Sequence, residues 1–416
     1  MTDSDEDRGA ALRLMSATAV RDRADQIFRA AEKDRLSHFS LDLDRFDDAT
    51  KYVAGVIREN YPNLDVPFHS RWRHFSAGGH DRWGWIRRRL DNPSLAEIGR
   101  VQFDLVMVSV LLDAGAGDAW HYVDSETGKT FARSEGLAVA SVDLFASGLL
   151  SSDPAAPFRA DATALAALTE PDLNEAFQVT ADNPLIGMAG RLDLLHGLAE
   201  VVHERTDLFG SKVGAKARVG NLFDRLVAQA NDGSIHASEI LQAVLNGLGA
   251  LWPGRMALGG INLGDTWRHP AVQTNDPSTG LIPFHKLSQW LTYSLAEPLE
   301  ACGVTVTNLD GLTGLAEYRN GGLFIDLGIL RPKHDQVTAD VHAVDSEIVV
   351  EWRALTIALL DRIAGPLRQE LGVDTETFPL AKVLEGGTWQ AGRRIAAERR
   401  AGGGPPIRVL SEGTVF

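Results

Sequence analysis

The chain of 416 residues holds one cysteine, Cys302, so no intramolecular disulfide can brace it. Its setting, Ala301-Cys302-Gly303-Val304, suits a small packed residue better than a nucleophile. Basic excess is missing as well. The formal net charge is −15, and nucleic acid and anionic membranes both repel such a chain, so neither is expected as a partner. No apolar run approaches the roughly 18 residues of a membrane span. The first residues, Met1-Thr2-Asp3-Ser4-Asp5-Glu6-Asp7, carry acid where a signal peptide carries base, which leaves the cytoplasm as the expected location. There is no Walker motif, no G-x-S-x-G elbow, no internal repeat, no heptad pattern and no low-complexity linker. No cofactor is implied.

What is present is apolar sequence at helical spacing. Hydrophobic residues make up 44%, enough for a large core. Helical periodicity is expected over 10–36, 46–60, 95–113, 134–147, 162–168, 185–202, 213–250, 285–301, 312–318, 346–364 and 381–399. Thr169 with Pro171 marks a helix start. Residues 62–93, rich in arginine and aromatics, and 253–283, rich in Gly, Pro and Asn, read as loops. Short strands fit 303–307 and the neighbourhood of Phe131. The expected class is therefore mainly α with a few short strands. Residues 1–9 read as a disordered acidic tail and 10–416 as a single mainly helical domain, with 10–93 the portion that would separate.

Five stretches carry candidate chemistry. Around Phe68-His69-Ser70-Arg71-Trp72-Arg73-His74-Phe75, Arg71 and Arg73 with two histidines suit an anion clamp. His69, His74 and His80 as a metal set would need a loop to bring them together, because a spacing of five puts His69 and His74 on different faces of a helix or strand. Leu112-Asp113-Ala114-Gly115-Ala116-Gly117 follows a helical pattern, which argues against a dinucleotide loop and places Asp113 at a helix end. Pro283-Phe284-His285-Lys286 sets a lysine at a helix start, a natural anion site. In Leu315-Ala316-Glu317-Tyr318-Arg319-Asn320-Gly321-Gly322, the glycine pair is expected to stop a helix beside Glu317 and Arg319. Glu347 and Glu351 share one helix face and read best as a packing ion pair.

The segments 68–75, 112–117, Arg133-Ser134-Glu135-Gly136-Leu137-Ala138, 281–290 and Gly413-Thr414-Val415-Phe416 resemble the domain of unknown function 1688 family from about residue 10 to the end. That resemblance implies a place in a reductase-independent route of uracil breakdown in which ribosylurea species appear. A second similarity follows the order of 151–154, 168–173, 183–186, 282–289, 312–319 and 350–354. It is to the queuosine-salvage N-glycosylases, and implies a helical bundle like the helix-hairpin-helix DNA glycosylases.

In that group an aspartate precedes a Tyr-Arg pair and acts at the glycosidic carbon. Here Glu317 stands before Tyr318-Arg319, one methylene longer, while the group's phosphate-binding lysine falls on Lys286. Together these imply an N-ribosyl hydrolase acting on ribosylurea or its 5′-phosphate. Glu317 is the catalytic carboxylate and Asp113 or Glu135 the acid. Substrate-binding candidates are His69, Arg71, Arg73, His74, His285, Lys286, Tyr318 and Arg319. No metal site is assigned. The rival readings are a metal-dependent ureido hydrolase and a non-catalytic sensor of a uracil metabolite.

Overall fold

Apolar residues at helical spacing dominate this chain, and helices form wherever one face can be buried. A computed structural model describes residues 3–117, 119–210, 217–252 and 256–410. The class is mainly α, with strands of two or three residues in two-stranded pairs.

The backbone of the core is the 25-residue helix Glu347–Leu371, capped by Ser346 at its start and by Gly372 at φ 72° at its end. Helices Ala17–Glu32 and Phe46–Asn60 pack on it. Their buried positions, Val20, Ala24, Ile27 and Phe28 in one and Val53, Val56 and Ile57 in the other, repeat at helical spacing. Helix Leu95–Leu111, capped by Ser94, has its last twelve residues buried apart from Arg100, and it lies against helix Lys286–Ala301. Each large apolar side chain buried in this way contributes about 1.5–3 kcal/mol. One apolar cluster runs from Met15 to Ile407. Among the described residues no helix is long and apolar enough to cross a membrane.

Several local expectations need correction. The acidic start is no disordered tail from Asp3 onward: Asp3–Leu14 is helical, and its Ala11 and Leu14 join Leu263 and Leu281 in a small second apolar cluster. The stretch 213–250 is broken by strand Ser234–His236, which pairs in parallel with Thr305–Thr307, and its residues 213–216 lie outside the described residues. Strand Thr130–Ala132 pairs with His121–Val123, as the pattern near Phe131 suggested.

The largest change concerns 312–318. Residues 312–317 are neither helix nor strand, and the helix begins at Tyr318 and continues to Asp326 straight through Gly321-Gly322. The glycines are there for contact. A Cβ on Gly321 would meet Trp352 Nε1 at 2.6 Å and Thr356 Oγ1 at 2.7 Å. Near the C-terminus, Val383–Trp389 forms a π-helix leading into helix Gln390–Arg399, a wide turn often found where a fold places functional groups.

Candidate functional site

The stretch 62–93, expected as loop, contains short helices Trp72–Phe75 and Arg82–Arg87, and residues 68–75 are also held by polar contacts. Arg71 is fully buried, and its guanidinium organises the neighbourhood. Nε donates to Ser109 Oγ at 2.8 Å, and Nη1 donates to the Ser134 carbonyl at 3.1 Å and to His74 Nδ1 at 3.3 Å. The same Nη1 lies 3.0 Å from Asp113 Oδ2. Burial pulls the Arg71 pKa down and Asp113 opposes the fall. With Arg71 as donor to Nδ1, the His74 ring carries its proton on Nε2. Burial, and then Arg71, lower the His74 pKa to about 3, so the ring is neutral at physiological pH.

Asp113 ends the Leu95–Leu111 helix as expected, and also accepts from Ser134 Oγ at 2.7 Å. Its loop is pinned by the fully buried Arg191, which donates to the carbonyls of Leu112 and Ala114 at 3.1 and 2.7 Å and to that of Ile186.

His69 is also buried, and its Nδ1 lies 2.7 Å from Glu385 Oε2. The π-helix puts Glu385 and Trp389 on the same side. The His69 ring is 4.8 Å from Trp290 and 5.8 Å from Trp389, and His74 is 6.1 and 6.2 Å from the same two indoles. Two imidazoles and two indoles therefore form one wall.

Lys286, Glu317 and Tyr318 are linked to this group electrostatically, Glu317 through His69 and Tyr318 through Asp113. Lys286 opens its helix, as the Gly- and Pro-rich stretch before it suggested. The first amide of that helix already donates to Asp265 Oδ2 at 3.0 Å, so the backbone anion site read there is filled from within. Arg353 holds Asp265 through two hydrogen bonds of 2.8 Å, and keeps its pKa well below the usual carboxylate range despite burial. Glu317 is the N-cap of helix Tyr318–Asp326, where its two oxygens accept from the Arg319 amide at 2.8 Å and the Asn320 amide at 2.6 Å. Burial raises the Glu317 pKa, against the pull of those amides and of Lys286, and burial lowers that of Lys286, against Glu317 and Asp113.

Glu317 and Lys286 thus feel each other's charge, yet they form no ion pair among the described residues. Tyr318 feels both Glu317 and Asp113, and Glu317 feels His69. His74, Lys286, Glu317 and Tyr318 lie deep in the protein, yet each keeps part of its surface accessible. Partly accessible groups at such depth are candidates for the lining of a recess.

Glu135 stands at its edge, half-exposed, 3.2 Å from the Arg393 guanidinium, which in turn lies 5.0 Å from the Trp389 ring centre. The remaining candidates point elsewhere. Arg73 is bound to Glu297, which also accepts from Ser70. His285 is buried in left-handed backbone at φ 47°, with Nε2 2.9 Å from the Leu14 carbonyl. The Arg319 guanidinium is tied to the Gly403 carbonyl and stacks on Tyr318. His80 pairs with Glu126 at 2.6 Å, so His69, His74 and His80 do not assemble as a metal set.

Reading the sequence missed Glu385 and Trp389. Their only signal was a lone glutamate beside Gly386-Gly387 in an apolar run, Val383-Leu384-Glu385-Gly386-Gly387-Thr388-Trp389.

The arrangement offers a carboxylate, a cation, a carboxylate-backed imidazole and flat aromatic faces. Such groups can bind a polar small molecule, stabilise positive charge and move one proton.

Comparison with known proteins covers the same residues. Over 415 residues the chain is 37% identical to "Protein urg3" of Schizosaccharomyces pombe, covering 97% of this chain and 98% of that protein. Over 434 residues it is 35% identical to "Uracil catabolism protein 4" of Lachancea kluyveri, covering 96% and 98%. Residues 13–416 match the family described as "Protein of unknown function (DUF1688)", and the chain belongs to that family.

Proposed function

We propose that this protein acts in uracil catabolism as an N-ribosyl hydrolase, splitting ribosylurea or its 5′-phosphate with water into urea and ribose or ribose phosphate. The place in uracil catabolism rests on the relative of that name. What carries the reaction is that Glu317 and Lys286 are deep but partly accessible and act on each other's charge, with no ion pair between them among the described residues. A substrate with a cationic reacting carbon and an anionic far end fits between them.

Cleavage of an N-glycosidic bond builds positive charge on the anomeric carbon. Glu317, held by two amides, keeps lone pairs free to stabilise that charge and to attack or to orient water. The C–N bond breaks with its electrons going to the ureido nitrogen, which takes a proton. His69, backed by Glu385, is the better donor. Asp113 is already engaged by Arg71 and Ser134, and Glu135 by Arg393. Lys286 anchors the 5′-phosphate, so that remote binding energy assists the reacting carbon. The substrate is a small cytoplasmic molecule, with neither nucleic acid nor membrane as partner.

The test is urea release by purified protein given ribosylurea or ribosylurea 5′-phosphate. Urea from wild type and a large loss in Glu317→Gln support the reading. A thermal shift with either compound but no urea would overturn it in favour of a sensor.

A further inference from the structure

Away from this recess, a second group of side chains gathers where three segments meet. Strand Phe39–Leu41 pairs antiparallel with Leu330–Pro332, and the Lys333 amide extends the ladder by donating to the His38 carbonyl at 2.9 Å. That register sets His38 beside His334. Glu347 and Glu351, one turn apart at the start of helix Glu347–Leu371, face them. The His38 nitrogen, a Glu347 oxygen and a Glu351 oxygen all lie within 4.8 Å of one another.

Three features separate this group from an ordinary ion pair. First, His38 Nε2 and Glu347 Oε1 are 3.8 Å apart, too far for a hydrogen bond. Two ligand atoms that each sit about 2.0–2.2 Å from one ion are separated by roughly 3–4 Å. Second, the free nitrogen is prepared. His38 Nδ1 lies 2.9 Å from His334 Nε2, a contact in which either ring can donate; with the shared proton on His38 Nδ1, Nε2 keeps its lone pair for a metal. A metal-binding histidine is oriented in this way, by donating its other N–H. Third, the carboxylates lack a counter-charge. Glu351 is fully buried and accepts from the Ser37 and His38 amides at 3.2 Å each, with His269 Nε2 at 3.4 Å. Among the described residues no lysine or arginine pairs with Glu347 or Glu351. Two carboxylates faced by amides and imidazoles, with no lysine or arginine paired to them, favour a cation.

We propose that His38, Glu347 and Glu351 bind a divalent transition-metal ion, with His334 as the residue that positions His38. One imidazole with two carboxylates suits Zn²⁺ or a neighbouring first-row ion rather than Mg²⁺ or Ca²⁺, which prefer oxygen alone. Water completes the coordination on the exposed side, where Glu347 keeps 39% of its side-chain surface. The ion would clasp the 37–38 turn and the 333–335 turn to the helix that forms the spine of the core.

The experiment uses the full chain, stripped with a chelator and titrated with Zn²⁺ in competition with a chromogenic chelator. One Zn²⁺ per chain is expected for wild type, with the ion found between His38 and Glu347 by anomalous diffraction at the zinc edge. Binding should be lost in His38→Ala and in Glu347→Ala, whose partly exposed side chain can be removed without touching the core. In His334→Ala it should weaken by about 10–100-fold, as for loss of an orienting partner. Zn²⁺ binding unchanged in Glu347→Ala, or an ion located elsewhere, overturns the proposal. So does no binding by folded wild type.

Discussion

Replacing Glu317 by glutamine separates a catalytic carboxylate from a helix cap. Both oxygens of Glu317 accept backbone hydrogen bonds, from Arg319 and Asn320. Glutamine keeps one acceptor and turns an NH₂ group toward the other amide. The cap therefore weakens by about 1–2 kcal/mol, as for loss of an N-cap or of one buried partner. Unfolding entropy of about 2.1 cal/mol/K per residue, over 416 residues, comes to about 0.9 kcal/mol/K, so Tm falls by only about 1–2 °C. Loss of the charge facing the anomeric carbon is a separate and larger effect, on the order of 10²–10³ in kcat, the usual result of removing one preorganised stabilising group. The assay pairs urea release with differential scanning calorimetry. Near wild-type kcat in a protein whose Tm has dropped would show that Glu317 is only a cap, and would refute the mechanism. A fall in activity no larger than the loss of folded protein would refute it too.

The other predictions are narrower. Lys286→Met should raise KM for the phosphorylated substrate by about 10–100-fold, the worth of a charge-assisted hydrogen bond. It should also move the acidic limb of the kcat/KM profile to higher pH, because a cation that lowers the Glu317 pKa is gone. Stability should depend on pH through His74, whose folded pKa of about 3 lies below the ordinary 6.5. Below 6.5 the unfolded chain binds the extra proton, so the His74 contribution is complete above that pH and is lost as pH falls toward 3. Urea denaturation at pH 7.5 and 5.5 should show a smaller difference for His74→Gln than for wild type. Gly321→Ala should cost about 1–3 kcal/mol, read from the urea midpoint, because its new Cβ overpacks a buried site against Trp352 Nε1 at 2.6 Å.

Which parts of the site were legible in the sequence follows from how local each cause is. Asp113 ends a long apolar helix and Lys286 starts one after a glycine- and proline-rich loop. Both signals lie within a few residues of their targets, and both placements hold. Glu317 was picked out by resemblance, but its conformation was misjudged. A Gly-Gly pair ordinarily stops a helix, and only the close approach of Trp352 and Thr356, more than 30 positions away, shows why the helix runs through it. His285 was among the substrate-binding candidates. Its actual partner is the Leu14 carbonyl, 271 residues distant. Arg73 differs from Arg71 by two positions, and no local pattern distinguishes the one that meets Asp113 from the one that meets Glu297.

The amino-acid sequence by itself determined the helical class, because hydrophobic periodicity and capping residues act over one or two turns. It also determined the acidic character, the lack of an intramolecular disulfide and the family to which the chain belongs. Only the tertiary structure decided which charges face one another. Glu385 reaches His69 across 316 positions through a π-helix that no periodicity announces. His38 meets His334 because a short antiparallel ladder sets their register. Ion pairs and recesses are made by groups far apart in the chain and near in space. Their energies depend on burial and counter-charge, which exist only once the core has closed.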